Sequence, residues 1–120
     1  MSLQTVGEQF VALCNQLKNF DVMDTMYAPD IVSVEATGDA TSGKNAVIEK
    51  SRRWAADNDV ASEKVDGPFF NGPNEFAVHT IFEVTRKATG EHVRLEEVGV
   101  YTVDADDQIT REQFFYEGEH

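Results

Sequence analysis

EFAVHTIFEVTRK (75–87), HVRLEEVGVYTV (92–103) and QITREQFFYE (108–117) are the three segments that decide the fold of this chain. Each is rich in β-branched and aromatic residues, and short polar turns at 88–91 and 104–107 separate them. The segments with helical periodicity all lie in the first half. Helices followed by a meander of long strands predict an α+β fold, in which a strongly curved, mostly antiparallel mixed sheet wraps around the N-terminal helices. Such a curled sheet commonly encloses a pocket.

The first half of the chain predicts three helices and two strands. Apolar residues at helical spacing predict a first helix over 5–19. A second helix begins near Phe20 or Asp21, carries Tyr27 on its apolar face and ends at Pro29. The third spans 44–56, with Thr41 or Ser42 as its cap and Val47, Ser51 and Trp54 on its inner face. Strands are predicted at 31–36 and 62–70, and a hairpin turn at 71–74.

Length and charge narrow the classes of protein to consider. The 120 residues form a single domain over 1–120. The formal charge of −12 argues against binding to nucleic acid or to an anionic membrane, since basic patches supply that affinity. The single cysteine, Cys14, excludes an internal disulfide, and its place in an apolar helical stripe favours packing. No signal peptide or membrane span is evident, so we expect a cytoplasmic protein.

The long strands are apolar on both faces. Alternate residues of a strand point to opposite sides, and neither side of 92–103 or 108–117 is purely polar. Helices can cover the concave side of the sheet. A second copy of the chain is the simplest cover for the convex side, so we predict a homodimer. His79 is expected on that convex face, while His92 and His120 are scattered elsewhere, so we expect no metal and no cofactor.

Three local motifs resemble a known family. They are FDVMDTMYAPDIVSVEA (20–36), SGKNAVIEKSRRW (42–54) and GEHVRLEEVGVYTVDADDQITREQFFY (90–116). Their order is similar to that of the SnoaL-like group, named after a polyketide cyclase, within the nuclear transport factor two-like superfamily. The resemblance covers nearly the whole chain. It implies a cone-shaped sheet with a pocket between its concave face and the helices. It does not define an activity, because this fold hosts enzymes, ligand binders and dimerisation modules.

Residue parity and the resemblance together predict which side chains face the pocket. The expected polar groups are Glu35, Glu97 and Glu112, as catalytic carboxylates. The other residues expected to face the pocket are mostly aromatic, and an aromatic wall suits a flat or apolar small molecule. The alternative is that the aromatic side chains simply fill the cone. The expected ligand-binding residues are Tyr27, Trp54, Phe82, Tyr101, Phe114 and Tyr116.

Glu35 corresponds, through the resemblance, to the general base of the related ketosteroid isomerases. A carboxylate in an apolar pocket can move a proton from a carbon next to a carbonyl. The alternative is a surface glutamate on an edge strand. The rest of the isomerase apparatus does not match, because no tyrosine precedes Tyr27 and Gly99 stands where the family has an acid. Glu97 lies two residues earlier on the same face, and steroid isomerase activity is not expected.

Glu97 and Glu112 have two possible roles. They could converge with Glu35, as expected for a cyclase, so that one carboxyl acts as acid and another as base. They could instead form ion pairs with Lys50, Arg94 or Arg111. We therefore predict a domain that binds a small apolar or aromatic molecule and could perform cyclase-type or isomerase-type proton transfer. The alternative is a non-catalytic dimeric ligand-binding or interaction module.

Overall fold

The structure of the protein is a computed structural model that describes residues 2–118 and 120. Three helices and six strands confirm the predicted α+β fold. The helices are α1 (Leu3–Asn15), α2 (Asn19–Met26) and α3 (Lys44–Asp57). The strands are β1 (Tyr27–Val34), β2 (Ala40–Ser42), β3 (Asn58–Asn71), β4 (Glu75–Arg86), β5 (His92–Val103) and β6 (Ile109–Phe115).

All six strands form one sheet in the order β2-β1-β6-β5-β4-β3. Neighbouring strands are antiparallel except β1 and β6, which run parallel. The predicted meander of β4, β5 and β6 is therefore present, and β6 returns to pair with the first strand. The register sets Glu112 opposite Tyr101 on β5 and opposite Ser33 on β1. This pairing joins β1 to the sequence-distant hairpin of β5 and β6 in one wall of the concave face.

The first two helices begin earlier than predicted. The Ser2 hydroxyl accepts from the Thr5 amide and caps α1, which ends at Asn15 and not at 19. Leu17 then takes a positive φ of 61°, which turns the chain sharply. The assignment of Tyr27 to the second helix was wrong, because Tyr27 already has extended backbone and opens β1. Pro29 consequently lies inside that strand.

The start of α3 also differs from the prediction. Its N-cap is Gly43, at a φ of 96°, and it makes no side-chain capping bond. The assignment of Thr41 or Ser42 as the cap was wrong, since both belong to β2, a strand the sequence did not predict. Glycine suits this position because L side chains rarely adopt such a φ. The strand predicted at 62–70 is longer, and Asn58 at its start pairs with Arg86 on β4.

The end of the sheet that carries Phe76 and Tyr101, called the narrow end below, is covered by a closed core. The end that carries Phe82 is called the wide end. Phe76 is fully buried and stacks on Tyr101, with the two ring centroids 5.2 Å apart. Phe10 of α1 packs edge-on against Phe76, with ring centroids 5.4 Å apart. Helix α1 can lie close to the β3 hairpin because it carries Gly7 there. A Cβ at that position would stand 2.9 Å from the Pro68 side chain. Within the described chain, no helix is long and apolar enough to cross a membrane.

Candidate functional site

A cavity of about 500 Å³ lies between the concave face of the sheet and the helices. Its volume is in the range of small-molecule pockets. All nine side chains that the sequence assigned to the pocket line its wall: Tyr27, Glu35, Trp54, Phe82, Glu97, Tyr101, Glu112, Phe114 and Tyr116. Their placement in one wall is a property of the structure, and their roles in binding or catalysis stay predictions.

The aromatic residues divide into two groups. The Tyr101 ring belongs to the closed core and also forms the floor of the cavity, with Phe114 edge-on to it at 6.4 Å. Trp54 and Phe82 pack against each other in the cavity wall, with ring centroids 6.1 Å apart, and both are partly exposed. The alternative in which aromatic side chains fill the cone therefore describes its narrow end, whereas the wide end is open.

Glu35 lies just after β1 and is held by two donors. Lys50 Nζ of α3 is 2.7 Å from Glu35 Oε1, and the Tyr116 hydroxyl donates to Glu35 Oε2 at 3.0 Å. Lys50 also donates to the Ser33 hydroxyl at 2.8 Å. Burial and the bond to Glu35 raise the pKa of Tyr116 to about 12, so its phenol remains a donor at neutral pH. The Glu35 side chain keeps 29% of its surface exposed.

Glu112 is the most deeply buried carboxyl of the site. It accepts hydrogen bonds from the Tyr27 hydroxyl and from Ser33. Burial raises its pKa, and these two hydrogen bonds oppose the shift. Ser33 thus links the Lys50 ammonium to Glu112. A continuous polar chain runs from Glu35 through Lys50 and Ser33 to Glu112.

Glu97 lies on β5, the strand next to the one that carries Glu112. Burial, with repulsion from Glu35 and Glu112, raises its pKa to about 8. Its Oε2 lies 3.5 Å from Nε2 of His120, whose ring stacks on Tyr116 at 3.7 Å. The predicted alternative, in which Lys50, Arg94 or Arg111 forms an ion pair with Glu97 or Glu112, is not found among the described residues. Lys50 contacts Glu35, whereas both arginines contact other residues: Arg94 is 3.8 Å from Glu83, and Arg111 binds Gln113.

Gly99 lies at the position that the resemblance assigned to the isomerase acid. A Cβ at Gly99 would lie 2.9 Å from the Tyr101 ring, which covers this stretch of β5. No larger side chain fits there unless Tyr101 moves. The acid two residues earlier, Glu97, is on the same face and reaches the cavity without that obstruction.

Sequence reasoning missed four polar residues of the cavity wall, Asn19, Lys50, Glu63 and His120. The position of Lys50 carried a usable signal, because it is three residues after Val47 and four before Trp54 on the inner face of α3. Glu63 shares its strand face with the buried Val65, which is a weaker signal. His120 follows the last strand, where no periodicity applies. Within residues 2–118 and 120, no group of three or more histidine, cysteine or acidic residues could hold a metal ion.

Comparison with known proteins gives the family. Residues 1–116 match the SnoaL-like domain. The chain belongs to the SnoaL-like domain family. This membership confirms the resemblance drawn from the three motifs, and it agrees with the six-stranded curved sheet. No curated protein matches the chain.

Solved structures show the same fold. A proposed SnoaL-like polyketide cyclase, also described as a carbohydrate phosphatase, from Mesorhizobium loti is 38% identical, with a TM-score of 0.90 over 97% of this chain and 100% of its own. A Mycobacterium tuberculosis protein in complex with estradiol-17β-hemisuccinate is 20% identical (TM-score 0.76, 98% and 95% covered). A computationally designed binder of 17-OHP is 18% identical (TM-score 0.74, 98% and 95% covered).

Proposed function

We propose that this SnoaL-like domain binds a small apolar or aromatic carbonyl compound in its cavity and moves a proton there in the manner of a cyclase or isomerase. The observation that carries the proposal is that one cavity is lined both by Glu35, with Lys50 Nζ at 2.7 Å, and by Glu97, whose pKa is raised to about 8. Two carboxyl groups in such different surroundings can supply a base and an acid at one pH. The steroid-type ligands of the two distant structures support a flat, apolar ligand for this fold.

Glu35 is the proposed base. Its carboxyl group borders the aromatic cavity, and Lys50 Nζ contacts its Oε1 at 2.7 Å. Proton transfer to Glu35 from the carbon next to a carbonyl leaves an enolate. At that moment Lys50 and Tyr116 need no longer compensate a carboxylate, and both can donate toward the enolate oxygen.

Glu97 is the proposed acid. With a pKa near 8 it is protonated at neutral pH, so it donates a hydrogen bond to the carbonyl oxygen and stabilises the negative charge that develops there. Glu112 contributes indirectly, because its charge is among those that raise the pKa of Glu97. The aromatic wall orients the ligand and excludes water.

The test uses an aromatic methyl ketone, acetylnaphthalene, in heavy water. The domain should accelerate exchange of the methyl hydrogens for deuterium, as followed by NMR. Glu35→Gln should slow that exchange by about 10²–10⁴-fold, the usual contribution of a positioned base. Glu49→Gln, on the exposed side of α3, is the matched control and should leave the rate unchanged.

The alternative function is a non-catalytic dimeric module that only holds a ligand. It would gain support if acetylnaphthalene binds to the wild-type domain and to Glu35→Gln with equal affinity, while neither accelerates exchange. The absence of both binding and exchange across apolar ketones would contradict the proposed ligand class. A thermal-shift screen reports binding independently of chemistry, because a ligand at 100 times its Kd stabilises a protein by about 2.7 kcal/mol.

The convex face of the sheet is the proposed dimer interface. Val98 and Phe115 are cross-strand neighbours there, and both are exposed in the single chain. His79 of the adjoining strand pairs with Glu96 at 2.6 Å on the same face. An exposed apolar group of this kind on a sheet favours a second copy as its cover. Cytoplasmic localisation, and the lack of a nucleic-acid or membrane partner, stay predictions that rest on the charge of −12.

A further inference from the structure

A second polar corner of the cavity takes no part in the proposed proton transfer. It consists of Glu63 on β3, with Asn19 and Cys14 from the junction of α1 and α2, and all three line the cavity. Asn19 Nδ2 donates to Glu63 Oε2 at 3.0 Å and lies 3.8 Å from Cys14 Sγ. This corner is attached to the edge strand of the sheet, and three strands separate it from the strand that carries Glu35.

Glu63 differs from the other carboxyls in its partners. Both oxygens of Glu35 accept hydrogen bonds, and Glu112 accepts from Tyr27 and Ser33. For Glu63, Asn19 is the one hydrogen-bond partner found in the part of the chain that the structure describes, and its Oε1 receives none. No cation among those residues lies within ion-pairing distance of Glu63. One carboxylate oxygen in the cavity wall is therefore available to a ligand.

The energetics favour a hydrogen-bond donor at this oxygen. Burial raises the pKa of Glu63 to about 7, and the bond from Asn19 opposes the shift only in part. A partly buried carboxylate that is short of donors is costly, and a ligand that supplies a donor relieves the cost. Between this corner and Glu35 the wall is largely aromatic.

We propose that Glu63, positioned by Asn19, selects ligands that carry a hydroxyl or amino group at the end opposite their carbonyl. The inference rests on the proposed function, which binds the carbonyl end of the ligand, and adds a contact for the opposite end of the ligand. The ligand class is then a flat, apolar molecule with two polar ends: an acceptor directed at Glu97 and Lys50, and a donor directed at Glu63.

The experiment compares three probes with one aromatic body. They are acetylnaphthalene and its derivatives with a hydroxyl or an aminomethyl group on the ring distal to the ketone. Affinities are measured by calorimetric titration for the wild-type domain, Glu63→Gln, Glu63→Leu and the exposed control Glu91→Gln. The readout is the ratio of affinities for the substituted and unsubstituted probes, which a general loss of structure would not change selectively.

The wild-type domain should bind the hydroxyl probe about ten-fold or more tightly than acetylnaphthalene, as expected for a hydrogen bond to a charged group. Glu63→Leu should abolish that preference, and Glu91→Gln should keep it. Glu63→Gln retains an acceptor but loses the charge, so it should weaken the aminomethyl probe more than the hydroxyl probe. Asn19→Ala should reduce the preference in part, because Glu63 would lose its positioning bond.

Two results would overturn the inference in different ways. If acetylnaphthalene binds well and the ratios are the same in wild type and Glu63→Leu, Glu63 selects nothing and the proposed function stands. If none of the three probes binds to the wild-type domain, the carbonyl ligand class is wrong, and the role of Glu63 fails with it.

Discussion

Phe76 and Phe82 lie on the same face of the same strand, yet one belongs to a closed core and the other to an open cavity. Phe76 is fully buried between Phe10 and Tyr101, whereas Phe82 remains partly exposed opposite Trp54. The difference comes from what packs against each end of the sheet. Helix α1 approaches the narrow end closely through Gly7, and the sharp turn at Leu17 ends its path before the wide end. One strand therefore contributes both to the closed core and to the wall of the cavity.

The largest expected effect comes from truncating these two phenylalanines. Phe76→Ala should lower the free energy of unfolding by about 3–5 kcal/mol, because it leaves a cavity in a packed core. Phe82→Ala should cost only about 1–2 kcal/mol, since part of its ring is already exposed. Urea denaturation gives both values. Equal costs would mean that the wide end is as tightly packed as the narrow end, and the cavity would then be too small to hold a ligand.

The pH dependence of stability should come from the open end. The folded state holds the Glu97 proton up to a pKa of about 8 and the Glu63 proton up to about 7, whereas an unfolded chain releases both near 4.5. Unfolding between these values releases protons, so stability is full below pH 4.5 and falls as the pH rises to 8. The expected loss is several kcal/mol, because each pKa unit between the folded and the unfolded value contributes about 1.4 kcal/mol.

Thermal unfolding from pH 5 to 9 measures this effect. Glu97→Gln should flatten the profile and raise Tm at pH 9, with little change at pH 5. A wild-type profile that is already flat would contradict the raised pKa, and with it the assignment of Glu97 as the acid.

Removing Lys50 should have a smaller effect on stability. Lys50→Met deletes the contacts to Glu35 and Ser33, at an expected cost of about 1–2 kcal/mol. Because the ammonium lowers the pKa of both Glu97 and Glu112, its loss should move their titration to higher pH. Carboxyl NMR shifts report that movement.

The control for the stability measurement is Lys87→Met. It breaks an exposed pair with Asp59 at 3.5 Å and should change stability by less than about 0.5 kcal/mol.

The smallest effect on the single chain should come from the convex face of the same sheet. Phe115→Ser replaces a half-exposed ring and should change the stability of a monomer by about 0.5 kcal/mol or less. If the convex face joins two copies, this variant should sediment as a monomer at micromolar concentration while the wild type sediments as a dimer. A monomeric wild type would contradict the interpretation of this face.

The sequence predicted the long strands well because their patterns are long and regular. The bounds of β5 agree at both ends, and residue parity on β4, β5 and β6 assigned side chains to the cavity before any contact was known. The pattern was weaker where local preferences compete with tertiary pairing. Tyr27 continues the apolar stripe of α2, but pairing with Ile109 draws its backbone into a strand.

The polar contacts of the site could not be predicted in the same way. Nothing in the local pattern assigns Lys50 to Glu35 and not to Glu97 or Glu112, because that choice depends on how α3 lies across the sheet. Glu63 and Asn19 meet only because the turn after α1 directs the chain toward β3. A pKa near 8 for Glu97 requires its burial together with two other carboxylates, and three-dimensional packing alone decides that.

The parallel pairing of β1 with β6 also bears on how the domain matures. The bond from Tyr116 to Glu35 joins residues 81 positions apart, so it cannot form until almost the entire described chain has been made and the last strand has docked. Contacts of such long range form late and slowly in folding. The Lys50–Glu35 pair joins residues only 15 positions apart, so it does not depend on the last strand in this way. The bond from Tyr116 is thus the contact of Glu35 that reports completed folding.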